Sequence, residues 1–176
     1  MELFFRLFNP DIPWLVMASI SAILVVASIG IWHRAKENRF RKIIYIFTAC
    51  YVFIILYLTI FERKPGDDYM INLVPFWSYE AIRDGLIEVL YEKLYNIILF
   101  IPYGFLLKYS FVKHRFKKVI ATGIGTSMLV EIMQLITKTG MCETDDVIHN
   151  STGLMVGYVV ALLVSKTVTH FSRYHF

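Results

Sequence analysis

Long apolar runs separated by short charged segments set the pattern of this chain. Near-continuous hydrophobic stretches cover about 12–32, 43–61, 94–109, 119–136 and 147–164. A helix crossing about 30 Å of hydrocarbon needs roughly 20 such residues, so each run predicts a membrane span. Pro10 and Pro13 flank the first, where Ala18 and Ala22, with Ser19, Ser21 and Ser28, make a small-residue face suited to close helix packing. The third run is short and holds Asn96, Pro102 and Gly104. A proline there removes a backbone hydrogen bond and predicts a kink. Between the second and third runs lies a long segment, 62–93. Tyr79, Ile82, Leu86 and Val89 recur in it at helical spacing. That predicts an interfacial amphipathic helix with Ser78 as N-cap and Trp77 and Tyr79 as headgroup anchors. The expected fold is an all-α polytopic membrane helix bundle. It has about five transmembrane helices plus an interfacial helix in the outer loop, in a single domain over 1–176.

Composition agrees: 57% of the 176 residues are hydrophobic and only 18% are charged. That excludes an ordinary soluble domain. The formal charge of +4 is no sign of nucleic-acid binding, because the basic residues sit in short loops. Placing 33–42, 108–118 and the C-terminal tail on one side gathers twelve of the 18 lysines and arginines there. The N-terminus is then expected outside and the C-terminus in the cytoplasm of a multi-pass cell-membrane protein. Cys50, within a span, and Cys142, in a loop, offer no disulfide framework. No cleavable leader is expected. Glycine-rich phosphate loops and zinc-type spacings are lacking, and nothing points to nucleotide use.

Polar residues inside the apolar runs carry the candidate chemistry. An ionisable side chain at the centre of a span costs roughly 2.5–3.5 kcal/mol or more, so it is read as functional by default. Ser127, Glu131 and Gln134 (i, i+4, i+7) share one helical face, and Asp146, Asn150, Gly153 and Gly157 share another. With the topology above, these faces, Asn96, Arg63 and the loop Asn72–Phe76 all lie toward the outer leaflet. Glu131, Gln134, Asn150 and Asn96 are predicted to converge in one hydrogen-bonded network, with Pro75 in a lid above it. Simpler roles stand beside these. Glu131 with Gln134 also reads as interhelical bridging, Asp145 with Asp146 as a helix cap, and Gly153 with Gly157 as close packing. Asn72–Phe76 also reads as a turn, and His149 as a packed residue rather than a metal ligand.

The motifs Asn72-Leu-Val-Pro-Phe76, Asn96-Ile-Ile-Leu-Phe-Ile-Pro102-Tyr-Gly104, Glu131-Ile-Met-Gln134 and Asp145-Asp146-Val-Ile-His-Asn150-Ser-Thr-Gly153 occur in this order, preceded by Thr59 and Arg63. Over roughly 45–165 the chain resembles the VanZ-like family of bacterial membrane proteins. The resemblance implies a link to lowered susceptibility to teicoplanin, a lipid-bearing glycopeptide. One departure is Gly140-Met141-Cys142, where the family often has an arginine shortly before the aspartates.

Two functions remain open. In the first, an outer-leaflet site acts on or binds a lipid headgroup or a lipid-linked cell-envelope intermediate. Glu131, Asp146 and Asp145 are its candidate catalytic residues, Glu131 moving a proton. Arg63, Asn72, Pro75, Phe76, Asn96, Gln134 and Asn150 are its candidate substrate-binding residues, Arg63 taking a phosphate. Asp145 and Asp146 either hold a divalent cation or orient a headgroup. In the second, the chain is a non-catalytic interaction protein that binds the antibiotic, its lipid-linked target or an envelope enzyme. Membrane lipids are expected partners in both.

Overall fold

The computed structural model describes residues 37–111 and 115–174. The expected span at 12–32 lies outside them. The chain is an all-α bundle. Helix α1 (Glu37–Leu56) ends in a π turn, Tyr57–Phe61. Strand β1 (Ile71–Asn72) and the short helix α2 (Trp77–Arg83) follow in the loop. Then come α3 (Ile87–Ser110), α4 (Arg115–Thr137), strand β2 (Cys142–Glu143) and α5 (Thr144–Tyr174). Among the described residues, four helices are long and apolar enough to cross a membrane: Arg39–Phe61, Ile87–Ser110, Arg115–Thr137 and Thr144–Thr167.

The interfacial helix differs from its expected form. Periodicity suggested one helix through Val89, but Gly85 adopts φ +98° and breaks it. The residues beyond Leu86 open α3, which therefore begins at Ile87 rather than near Leu94. Ser78 is inside α2, whose N-cap is Phe76. Pro102 lies within α3, which runs on past it to Ser110.

Helices α3 and α5 run parallel and touch backbone to backbone. Gly153 faces the carbonyl of Ile97, and Gly157 that of Ile101, one turn further along both helices. Gly104 faces the backbone of Leu154. Small residues allow this approach, and dispersion between the surfaces stabilises it where lipid leaves little hydrophobic gain. At the far end Lys108 Nζ and the Tyr109 hydroxyl both donate to the Ala161 carbonyl, each at 3.1 Å. Helix α1 packs antiparallel to α3: the Tyr51 hydroxyl donates to the Leu99 carbonyl and Tyr45 to that of Ser110, both at 2.9 Å. Ile44, Ile55, Leu99, Leu106 and Leu154 form the buried core, while Phe53, Ile98, Leu129 and Leu163 face outward as a lipid-facing surface requires.

Candidate functional site

Lys93 organises the polar end of the bundle. It lies in the second turn of α3 on the face it shares with Asn96, and both are buried. Its ammonium donates to Glu143 Oε2 at 2.6 Å and to Asp146 Oδ1 at 2.5 Å. Glu143 ends β2 and Asp146 sits in the first turn of α5. The Trp77 indole N–H also donates to Glu143 Oε2, at 3.0 Å, so this tryptophan braces the ion cluster rather than serving only as a headgroup anchor. Charges so deeply buried persist only when paired and hydrogen-bonded. Burial pushes the Glu143 carboxyl up from its ordinary value, against the opposing hydrogen bond from Lys93. Burial likewise pushes the neighbouring Cys142 thiol up, which leaves it a poor nucleophile.

Glu131 reaches the same strand from α4: its Oε2 accepts the backbone N–H of Glu143 at 2.9 Å. Glu143 and Asp146 thus pair with one lysine, and Glu131 joins the cluster through the Glu143 backbone. The other polar residues of these faces bond elsewhere. Asn150 Nδ2 donates to Ser127 Oγ at 2.9 Å, and Gln134 Nε2 to the Thr59 carbonyl at 3.2 Å. Asn150 Oδ1 and Gln134 Oε1 are buried without a hydrogen-bond partner. Glu131, Gln134, Asn150 and Asn96 are all buried, but they form no single chain of mutual bonds. Lys93 and Glu143, which the motifs did not single out, link Glu131 to Asp146 instead. Both carried a signal: Lys93 lies three residues before Asn96, and Glu143 three before Asp146. Placing the start of the third span at Leu94 put the lysine in a loop and hid it.

Asp145 turns away from this cluster and holds the loop. Its Oδ1 accepts the Phe76 N–H at 2.5 Å, and its Oδ2 accepts the Ser78 N–H at 3.0 Å and the Ser78 hydroxyl at 2.5 Å. Phe76 is thereby held at φ +65°, a left-handed conformation rare for a bulky side chain. Asn72 Oδ1 accepts the Val74 N–H at 3.1 Å, closing the turn before Pro75. Strand β1 pairs in parallel with β2, Asn72 opposite Glu143, which lays the loop directly over the acids. His149 stacks on Tyr79 and its Nδ1 donates to the Asp145 carbonyl at 2.6 Å. The Pro75 ring and the Phe76 side chain are exposed. Arg63 approaches Glu92 only to 3.9 Å, and its guanidinium lies beside Gly140.

This geometry bears on the cation reading. The Asp145 carboxylate accepts three hydrogen bonds from the loop, and Asp146 Oδ1 is taken by the Lys93 ammonium. Among the described residues, no group of three or more histidine, cysteine or acidic side chains is arranged to hold a metal ion.

The VanZ/LLP1 family model matches residues 42–165. "Protein VanZ" of Enterococcus faecium is 28% identical over 125 residues, covering 67% of this chain and 73% of that protein. No solved structure matches significantly. With its family match running from the second turn of α1 to Ser165 in α5, this membrane protein belongs to the VanZ/LLP1 family.

Proposed function

We propose that the chain acts in resistance to teicoplanin-type glycopeptides through a polar site at the outer leaflet, which acts on or binds a lipid headgroup or lipid-linked cell-envelope intermediate. One observation carries this reading: a buried cluster holds three carboxyl groups and a single lysine, which pairs with Glu143 and Asp146 and leaves Glu131 on a backbone N–H. Bracing helices needs one acid per base. A surplus of acid gives the site a proton to move or a donor-rich ligand to bind. Glu131 is the group of choice. Its bond is to a backbone N–H rather than to Lys93, so it is the acid least committed to the ion cluster.

Glu131→Gln and Asp146→Asn test this separately. Each amide keeps an oxygen to accept from the Glu143 N–H or from Lys93, so a purely structural role survives. Interhelical hydrogen bonds in membranes average about 0.6 kcal/mol, and membrane-embedded yield and melting should stay near wild type. Protection against teicoplanin, normalised to embedded protein, should fall at least about tenfold, as loss of a general acid or base would require. Full protection by both variants sinks the catalytic reading.

That outcome would leave the interaction protein, which a second observation favours. Tyr69, Met70, Ile71, Leu73, Val74 and Phe76 are exposed along the loop above the site, an apolar ridge suited to a lipid-bearing partner.

The orientation is a separate expectation. A reporter fused after Phe176 or within 33–42 should read cytoplasmic, and one near Gly66 external. An external C-terminus would move the polar end of the bundle to the inner leaflet and overturn the outer-leaflet site.

A further inference from the structure

Beside the ion cluster, Arg63 and Gln134 lie against Gly140, and Gln134 bonds to a π turn. The π turn Tyr57–Phe61 interrupts α1 at its outer end, and such turns recur at functional sites because they release backbone groups from the helical ladder. Here the Thr59 carbonyl accepts from Gln134 Nε2. That bond settles which end of the amide is which, since a carbonyl accepts only from the NH₂ end. Gln134 Oε1 is consequently a true acceptor, buried and without a donor. Leaving such a group unsatisfied costs about 1–3 kcal/mol, so it marks a place where a donor is missing. Arg63 also borders Gly140. A Cβ at position 140 would lie 3.1 Å from its Nη1 and 3.3 Å from the Gln134 amide. The absent side chain leaves room for the guanidinium and for Cδ and Nε2 of the amide to lie against the same glycine. Arg63 is about one-third exposed, and among the described residues its one ion-pair contact is the long approach to Glu92, which leaves its fork of donors available for a phosphate.

Resting on the headgroup reading above, we propose that Arg63 and Gln134, both lying against Gly140, form the headgroup subsite, and that its ligand is a phospholipid or lipid-linked phosphate bearing a hydrogen-bond donor a few atoms beyond the phosphate. The guanidinium takes the phosphate oxygens, and Gln134 Oε1 accepts from a hydroxyl or amide N–H of a polyol or sugar headgroup. A choline headgroup, which has no donor, is disfavoured.

The test uses the full chain in nanodiscs of phosphatidylcholine with equal amounts of phosphatidylglycerol and phosphatidylmethanol. The two anionic lipids share a charge and differ in the hydroxyl donors. Native mass spectrometry counts the lipids retained. Wild type should retain phosphatidylglycerol over phosphatidylmethanol by about fivefold, the worth of one net hydrogen bond. Gln134→Leu should bring that ratio to about one while keeping anionic lipid bound. Arg63→Ala should cut retention of both by about tenfold. Gly140→Ala deletes neither polar side chain. Its methyl presses on both groups and should also lower retention of both lipids. A wild-type ratio near one, an unchanged ratio in Gln134→Leu, or full retention in Arg63→Ala overturns the subsite. Displacement of the lipid by millimolar soluble glycerol phosphate overturns the lipid assignment in favour of a free phosphate ester. The two proposals fail separately. A flat lipid ratio with protection still lost in Glu131→Gln removes this subsite and leaves the outer-leaflet site standing. A fivefold ratio with full protection in both charge-neutral variants does the reverse.

Discussion

Lys93→Met should leave little assembled protein in the membrane. Methionine matches the lysine stem in length and packing, so the change removes the charge and almost nothing else. It strands Glu143 and Asp146, whose oxygens the ammonium contacts at 2.6 and 2.5 Å. Both carboxylates are at least nine-tenths buried, and Glu131 approaches the same strand. Breaking a buried pair by deleting one partner costs about 3–5 kcal/mol, chiefly because the survivor stays charged in an apolar setting. Here two acids survive. The measurement is membrane-embedded yield and melting in detergent. A second variant identifies the cause: adding Glu143→Gln and Asp146→Asn to Lys93→Met removes the stranded charges and should recover part of the loss. If the single variant melts like wild type, the lysine is not the keystone of this end of the bundle. If the triple variant is no better than the single, the stranded charges are not what unfolds it.

A comparable loss is expected from one methyl-bearing side chain at the α3–α5 contact. A Cβ on Gly153 would collide with the carbonyl of Ile97, and one on Gly157 with the carbonyl of Ile101 and, at 2.9 Å, the Phe105 nitrogen. These obstacles are backbone atoms, which cannot rotate aside as a side chain does. The helices must separate, and the break spreads to the Lys93–Asp146 pair at one end and the Ala161 contacts at the other. Overpacking a well-filled site costs typically about 1–3 kcal/mol, and contact with backbone belongs at or beyond the top of that range. Gly157→Val should therefore fail to accumulate, or melt far below wild type. Gly125→Ala is the matched control, since a Cβ there meets nothing within 4 Å. It removes a helix-interior glycine and should be neutral or stabilising by up to about 1 kcal/mol. Equal yields for the two variants would contradict the close approach of α3 and α5.

Much of the architecture was legible in the amino-acid order, because helix length and helix face are local properties. Apolar runs located the four described spans, with differences at their ends. A 3.6-residue period placed Ser127, Glu131 and Gln134 on one face and Asp146, Asn150, Gly153 and Gly157 on another, and both faces are buried against neighbouring helices. Boundaries were harder, as Gly85 illustrates. Its left-handed turn split one apparent amphipathic helix and moved seven residues, Ile87 to Lys93, into a span. That shift changed Lys93 from a topological charge into a buried one.

The sequence alone determined that this chain is a membrane helix bundle with acids and amides buried among its spans, since hydrophobicity and periodicity act over one or two turns. Only the tertiary structure decided what those polar groups bond to. Lys93 meets Glu143 and Asp146 across fifty or more residues, Asp145 closes on Phe76 and Ser78, and Gln134 turns to the Thr59 carbonyl. A buried charge or amide takes whichever partner the packed helices bring within about 3 Å. Which helices become neighbours depends on where two backbones come close enough to touch, here at Gly104, Gly153 and Gly157.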